Sequence, residues 1–172
     1  MTAEDSCAVA HGAAPSATTT RTLVTVFASP VADYLLRYGA DLGYRTILVE
    51  PERGRISNAE QDSATAVRTD MPPDLDDNSD VVVTDHHRME LGPMLRDALA
   101  LPVRWIGVMG NPRHPAPHVT ALGDLGVSPA DIERVHRPIG LNIGSRTPPE
   151  IAIATLAGLL ADRNGRSGGF HF

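Results

Sequence analysis

The apolar residues of this chain fall into runs of two kinds. Residues 23–28, Leu-Val-Thr-Val-Phe-Ala, form a short β-branched run that predicts a buried strand. After Ser29 and Pro30, the positions Ala32, Leu35, Leu36, Gly39 and Leu42 repeat at helical spacing, and Gly43 ends that helix as a C′ glycine. A second strand follows over 46–49, with Glu50 at its tip. Strand, helix and strand in such quick succession make a βαβ unit, which implies a parallel pair.

Further on, the pattern predicts a weak strand over 64–68, a clear one over 81–84 and another over 104–109. Helices are predicted over 90–99, 118–125 and 148–163, with a short one opened by Ser128 as its cap. The acidic, proline-bearing stretch 70–80 reads as a solvated loop, and the prolines of 111–117 exclude regular helix. The last helix is apolar almost all round, which predicts that it is largely buried. Its approach is the most specified segment of the chain. Gly140 and Gly144 bracket a short apolar run, Thr147 and Glu150 have capping-box spacing, and Pro148 takes the first helical position. The sum is an α/β protein, Rossmann-like, with a mostly parallel sheet and helices on both faces. It is a single domain over 22–165, between a disordered N-terminal tail (1–21) and a flexible end (166–172).

Composition narrows the function classes. The chain has 172 residues, a net charge of −6 and only 4% aromatic residues. Nucleic acid is disfavoured on both counts, since phosphate backbones need clustered Lys and Arg and single strands need stacking platforms. The lone cysteine, Cys7, excludes an internal disulfide and a cysteine-based zinc site, and reads as an incidental thiol in a polar leader. That leader lacks the basic start and apolar core of a signal peptide, and no apolar run approaches the ~20 residues that span a bilayer. A cytoplasmic protein with no membrane association is expected.

In an open parallel sheet, ligands bind outside the carboxyl ends of the strands. Ser29, Glu50, the Asp85-His86-His87 trio, and Gly110 with Asn111 and Arg113 all fall at predicted strand tips. The dinucleotide pattern G-x-G-x-x-G/A would fall on Phe27, Ser29 and Ala32, and only the last is compatible. Pro30 removes an N–H, which leaves Val31 and Ala32 as the free donors of that helix start, unless Ser29 is no more than an N-cap. Glu50, 21 residues past Ser29, stands where an acid accepts from an unphosphorylated ribose, or is a surface carboxylate ending a strand. In extended chain His86 and His87 point opposite ways and cannot share an ion. His114 and His118 are separated by prolines, with His136 a distant third, so no metal site is expected. Asp85 or His86 reads instead as a proton carrier or ligand contact. Because Pro148 and Pro149 lack N–H groups, a phosphate at the last helix would rest on Arg146, Ser145 and the loop amides around Gly144. The other reading is a well-capped structural loop with Arg146 in a salt bridge.

The run His136-Arg-Pro-Ile-Gly-Leu-Asn-Ile-Gly-Ser-Arg-Thr-Pro-Pro-Glu-Ile-Ala152 resembles the closing motif of the XdhC/CoxI family, accessory factors of molybdenum hydroxylases such as xanthine and carbon monoxide dehydrogenases. Trp105-Ile-Gly-Val-Met-Gly110 is similar to that family's Tyr-Val-Gly-Leu-Leu-Gly strand, and Val81-Val-Val-Thr-Asp-His86 to a strand ending in Thr-His-Asp, with the last two exchanged. Phe27-Ala-Ser-Pro-Val-Ala32 matches its Gly-Ala-Gly-Pro-Val-Ala loop without either glycine. Asn142 replaces an Asp, and Gly110-Asn-Pro-Arg113 stands where Gly-Ser-Arg is usual. The resemblance spans residues 22–163. It implies a non-catalytic maturation factor that binds the molybdenum cofactor (molybdopterin or its dinucleotide), supports its sulfuration and hands it to an apo molybdenum hydroxylase. The implied crevice is formed by Ser29, Val31, Ala32, Glu50, Asp85, His86, Gly110, Arg113, Gly144 and Arg146. Two alternatives stand beside it. One is an NAD(P)-dependent oxidoreductase, for which no Tyr/Lys catalytic pair is recognisable. The other is a degenerate Rossmann domain acting only through protein interaction, by way of the acidic loop 70–80. Homodimer formation is an open expectation, since small Rossmann-like domains often pair.

Overall fold

The computed structural model describes residues 20–111, 113 and 115–169. Residues 1–19 of the expected tail (1–21), with Cys7, and the last three residues of the expected flexible end lie outside them. Six strands, β1 (Arg21–Val26), β2 (Tyr44–Val49), β3 (Ala66–Arg68), β4 (Ser79–Val83), β5 (Trp105–Val108) and β6 (Val135–His136), form one sheet in the order β3-β2-β1-β4-β5-β6. All pairs are parallel, and Val26 lies level with both Val49 and Val83. This is the strand order of doubly wound nucleotide-binding sheets, with the reversal between β1 and β4. The α/β, Rossmann-like expectation therefore holds. Arg21, placed in the tail by sequence, is the first residue of β1.

The helices are α1 (Pro30–Asp41), α2 (Asn58–Ser63), α3 (Leu91–Leu99), α4 (Pro117–Asp124), α5 (Pro129–Ile132) and α6 (Pro148–Arg163). Side chains alternate across a strand, so each central strand feeds two cores. Val24, Val81 and Val83 pack with Leu91, Met94 and Leu95 of α3. Leu23 and Val82 point the other way, onto Leu35 of α1 and Leu156 and Leu159 of α6. Among the described residues no helix is long and apolar enough to cross a membrane.

Three sequence expectations change. The stretch 70–80 is not all solvated loop, because Ser79 and Asp80 open β4 and Asp80 is fully buried. Its carboxylate is held by Arg104 Nε at 2.7 Å, Arg163 Nη2 at 2.8 Å and the Tyr44 hydroxyl at 3.3 Å, all distant in sequence. Helix α6 is buried along one face only. Ile153 is 51% exposed, and with Leu42, Leu156 and Leu160 it lines an apolar groove of about 530 Å³ between α1 and α6. Helix α2 was not expected at all, although Ser57 and Glu60 form a complete capping box at its start.

Between β6 and α6 the loop is pinned to the helix. Gly140 has φ 82°, and a Cβ there would lie 2.9 Å from the Ala154 and Thr155 backbone. Leu141 N–H donates to the Ala154 carbonyl at 3.0 Å, which holds the loop against α6.

Candidate functional site

The carboxyl ends of β1, β2 and β4 meet at the strand-order reversal, where this fold places its crevice. Phe27 leaves β1 with φ 74°, a left-handed conformation that disfavours any residue with a Cβ. It is held there from several sides. Its N–H donates to the Val49 carbonyl at 2.9 Å, and its carbonyl accepts from Thr84 Oγ1 at 2.7 Å. Its fully buried ring lies under the Arg88 guanidinium, 4.6 Å from the ring centre. An aromatic residue thus sits at the backbone position where a dinucleotide loop carries glycine.

Glu50 is fully buried, not a ribose acceptor facing a cleft. Its Oε1 accepts from Glu52 N–H at 2.9 Å and Arg88 Nη2 at 2.9 Å, and its Oε2 from Ala28 N–H at 2.8 Å and Arg88 Nη1 at 3.1 Å. Two donors on each oxygen fill the carboxylate. Burial pushes the Glu50 carboxyl up, but Arg88 and the two amides together outweigh it and hold the group below its ordinary value. Arg88 also reaches Glu90, with Nη2 at 3.1 Å from Oε1.

Ser29 is an N-cap, as one sequence reading had it: its Oγ accepts from Ala32 N–H at 3.1 Å. Its own N–H donates to Glu60 Oε1 at 2.6 Å, a carboxylate delivered by α2 and 3% exposed. Of the two backbone donors expected at this helix start, Ala32 N–H is taken by Ser29 Oγ, and the partly buried Val31 side chain packs beside α6. A dinucleotide would bring its pyrophosphate to this loop. The Ala28, Ser29 and Ala32 amides already donate within the chain, and Pro30 has none. Three of the loop's amides are thus taken from a pyrophosphate as the loop is folded, and Val31 N–H stands outside these contacts.

The other half of the crevice, at the tips of β4, β5 and β6, is differently built. The chain turns after Thr84, and Asp85 Oδ1 accepts from His87 N–H at 2.8 Å. That turn brings the His86 and His87 rings to 4.0 Å between centres, against the expectation of opposite directions, which assumed extended backbone. Gly110 lets the Arg137 guanidinium lie close over the backbone: a Cβ there would fall 2.5 Å from Arg137 Nε unless that side chain moved. Arg137 Nη2 donates to the Asn111 carbonyl at 2.8 Å. His86 and the buried His118 both lie in the field of Arg137. Burial first, then the charges of His87 and Arg137, lowers the His86 pKa, and burial followed by Arg137 lowers that of His118. His118 is 4% exposed, and its Nδ1 has no hydrogen-bond partner among the described residues.

Among the described residues no side-chain hydrogen bond or salt bridge draws Arg113 or Arg146 into either half, and Gly144 lies open. Arg113 is exposed, with its N–H on Asn111 Oδ1 at 3.0 Å, and Gly144 has φ 69° with open space around it. The side chain of Arg146 is exposed and forms no salt bridge among the described residues. Its N–H and that of Thr147 donate to Glu150 Oε2 at 2.7 and 3.2 Å, so a carboxylate of the chain again holds the loop amides. Those amides lower the Glu150 pKa. Among the described residues no three His, Cys, Asp or Glu side chains group as a metal site, and His114 lies outside them. Sequence reasoning passed over Glu60, Arg88 and Arg137. The capping-box spacing of Ser57 and Glu60 was the one local signal for any of them.

Three comparisons bear on this arrangement. Residues 23–159 match the family model described as XdhC Rossmann domain. An uncharacterized protein of Escherichia coli K12, YqeB, is 32% identical over 119 residues, which is 69% of this chain and 21% of that protein. A solved structure described as a xanthine dehydrogenase from Bacillus halodurans superposes with a TM-score of 0.69 at 20% identity, over 87% of this chain and 44% of that one. The chain thus spans less than half the length of either relative, and the structural likeness speaks for the fold. With the family model covering most of the described fold, from β1 to the second half of α6, the chain belongs to the XdhC Rossmann domain family.

Proposed function

We propose that this chain is an accessory protein of a molybdenum hydroxylase. It acts on the apo-enzyme and binds the molybdenum cofactor at the β4–β6 half of the crevice. Membership of the XdhC Rossmann domain family carries the accessory role. His118, buried within the field of Arg137 and with no hydrogen-bond partner for its Nδ1 among the described residues, supports an acidic ligand in that half. Arg137 would pair with a terminal phosphate, and His86 and His118 would orient the group beside it. A cofactor without a nucleotide suits this half, since its phosphate needs none of the amides of the β1–α1 loop.

Reconstitution tests the reading. A purified apo molybdenum hydroxylase is loaded with molybdenum cofactor with and without this protein, and its molybdenum content and turnover are measured. The expected result is a several-fold rise in both with the wild-type chain, and loss of that rise with Arg137→Ala. Equal loading with and without the protein would refute the proposal. A second reading, a domain that acts through protein contacts alone, is favoured by the filled β1–α1 loop; hydroxylase activation that survives Arg137→Ala would select it. The NAD(P)-dependent alternative requires the loop whose amides Glu50 and Glu60 hold.

A further inference from the structure

The N-terminus of a long helix attracts anions, because its first N–H groups lack partners and its dipole is positive there. In dinucleotide-binding sheets that anion is the pyrophosphate. In this chain the space before α1 holds the carboxylate of Glu60. The group is 3% exposed, and among the described residues its hydrogen bonds come from neutral donors. These are Ser29 N–H at 2.6 Å on Oε1, with Ser57 N–H at 2.9 Å and Ser57 Oγ at 2.8 Å on Oε2. Ser57 supplies its two donors through the capping box of α2, Ser29 N–H reaches Glu60 from the start of α1, and no arginine or lysine lies in salt-bridge reach among the described residues. The adjoining amide, Ala28 N–H, is taken by Glu50, and Arg88 closes over Phe27.

We propose that Glu60 is a resident anion standing where a pyrophosphate would bind at the N-terminus of α1, so that this chain closes its own β1–α1 loop to dinucleotides. The two features that disqualify the loop by sequence then have one cause. With a carboxylate as fixed occupant, no ligand needs to approach bare backbone, and glycine at positions 27 and 29 is no longer required. The helix start keeps an anion, and the anion is covalently part of the fold.

The test is anion rescue. Glu60→Ala leaves a carboxylate-sized cavity lined by the donors of Ser29 and Ser57. Its melting temperature should fall below that of wild type. Acetate or inorganic phosphate at 100 mM should raise it again, and chloride at equal ionic strength should not. Inorganic pyrophosphate and ADP-ribose should bind the variant at least ten-fold more tightly than wild type. A wild-type chain that binds ADP-ribose as well as the variant does overturns the proposal, and so does a folded variant with no anion-specific rescue. Should Glu60→Ala not fold, amide NMR of the wild type decides. The Ala28 and Ser29 resonances should stay fixed while ADP-ribose is added, and movement of either refutes the closure.

Discussion

Replacing Arg88 with methionine leaves Glu50 with its two amides and no counter-charge, inside a site from which water is excluded. Glu50 is fully buried and the Arg88 side chain is 8% exposed, so this is a buried pair, not a surface one. Breaking such a pair by removing one partner costs about 3–5 kcal/mol, because the remaining charge stays desolvated. The lost guanidinium stack on Phe27 adds about 0.5–2 kcal/mol. Urea unfolding is the assay. With a slope of about 2 kcal/mol per M, a loss of about 4 kcal/mol moves the midpoint down by about 2 M. The acid limb gives a second, independent readout. In wild type the Glu50 pKa is depressed on folding, so its contribution is present above the unfolded value of about 4.5 and is lost as pH falls through the folded one. Without Arg88, burial dominates and raises the folded pKa, so the variant should gain relative stability as pH falls toward 4.5. The double variant Glu50→Gln/Arg88→Met should be more stable than Arg88→Met alone, since it removes the stranded charge. A single-variant loss below about 1 kcal/mol, with the acid limb unchanged, would place the pair with ordinary surface salt bridges and refute the account.

Other tests follow from the same geometry. Gly140→Ala forces a Cβ into the α6 backbone at a positive φ, and chemical denaturation should show a loss of about 2–4 kcal/mol; Gly144→Ala, with φ also positive but open space around it, should lose only about 1 kcal/mol. His118 is held neutral by burial and by Arg137, so the unfolded chain binds its proton first and stability should decline as pH falls below about 6.5. Melting curves at successive pH values should show that decline weakened in His118→Gln, and an unchanged slope would refute the assignment. Asp80→Ala leaves Arg163 with no carboxylate partner among the described residues and Arg104 with Asp162 alone, at the opposite end of the sheet, and should cost about 3 kcal/mol in urea unfolding without altering hydroxylase loading.

Much of this fold was legible in spacing. The first helix, its Ser29 cap and its Gly43 stop, the parallel pair around it, and the full span of α6 with its Thr147–Glu150 box all follow from interactions within a turn or two of chain. Where expectation and structure part, the deciding contact is in part long-range and in part a local turn that hydrophobic spacing does not mark. The burial of Asp80 depends on Arg163, 83 residues away. The exposure of Ile153 depends on the outer face of α6, on which none of the described residues forms a further layer. The approach of His86 to His87 depends on a backbone turn that Asp85 stabilises.

The candidate site divides in the same way. By itself the sequence determined which residues stand at strand tips, and that the first loop had exchanged its glycines for Phe27 and Ser29. It also determined that a helix begins at Pro30, because caps and apolar spacing are local and leave few choices. Only the tertiary structure decided who holds the amides of that loop. Glu60 lies 31 residues from Ser29, and Arg88 lies 38 from Glu50. They meet because the strand order brings the ends of β1, β2 and β4 together and packs α2 beside them. The capping-box spacing of Ser57 and Glu60 marks one oxygen of that carboxylate, but nothing local marks Ser29 as the partner of the other. Its partner is chosen by a helix N-terminus that must have an anion once it is buried, and that demand exists only in the folded chain.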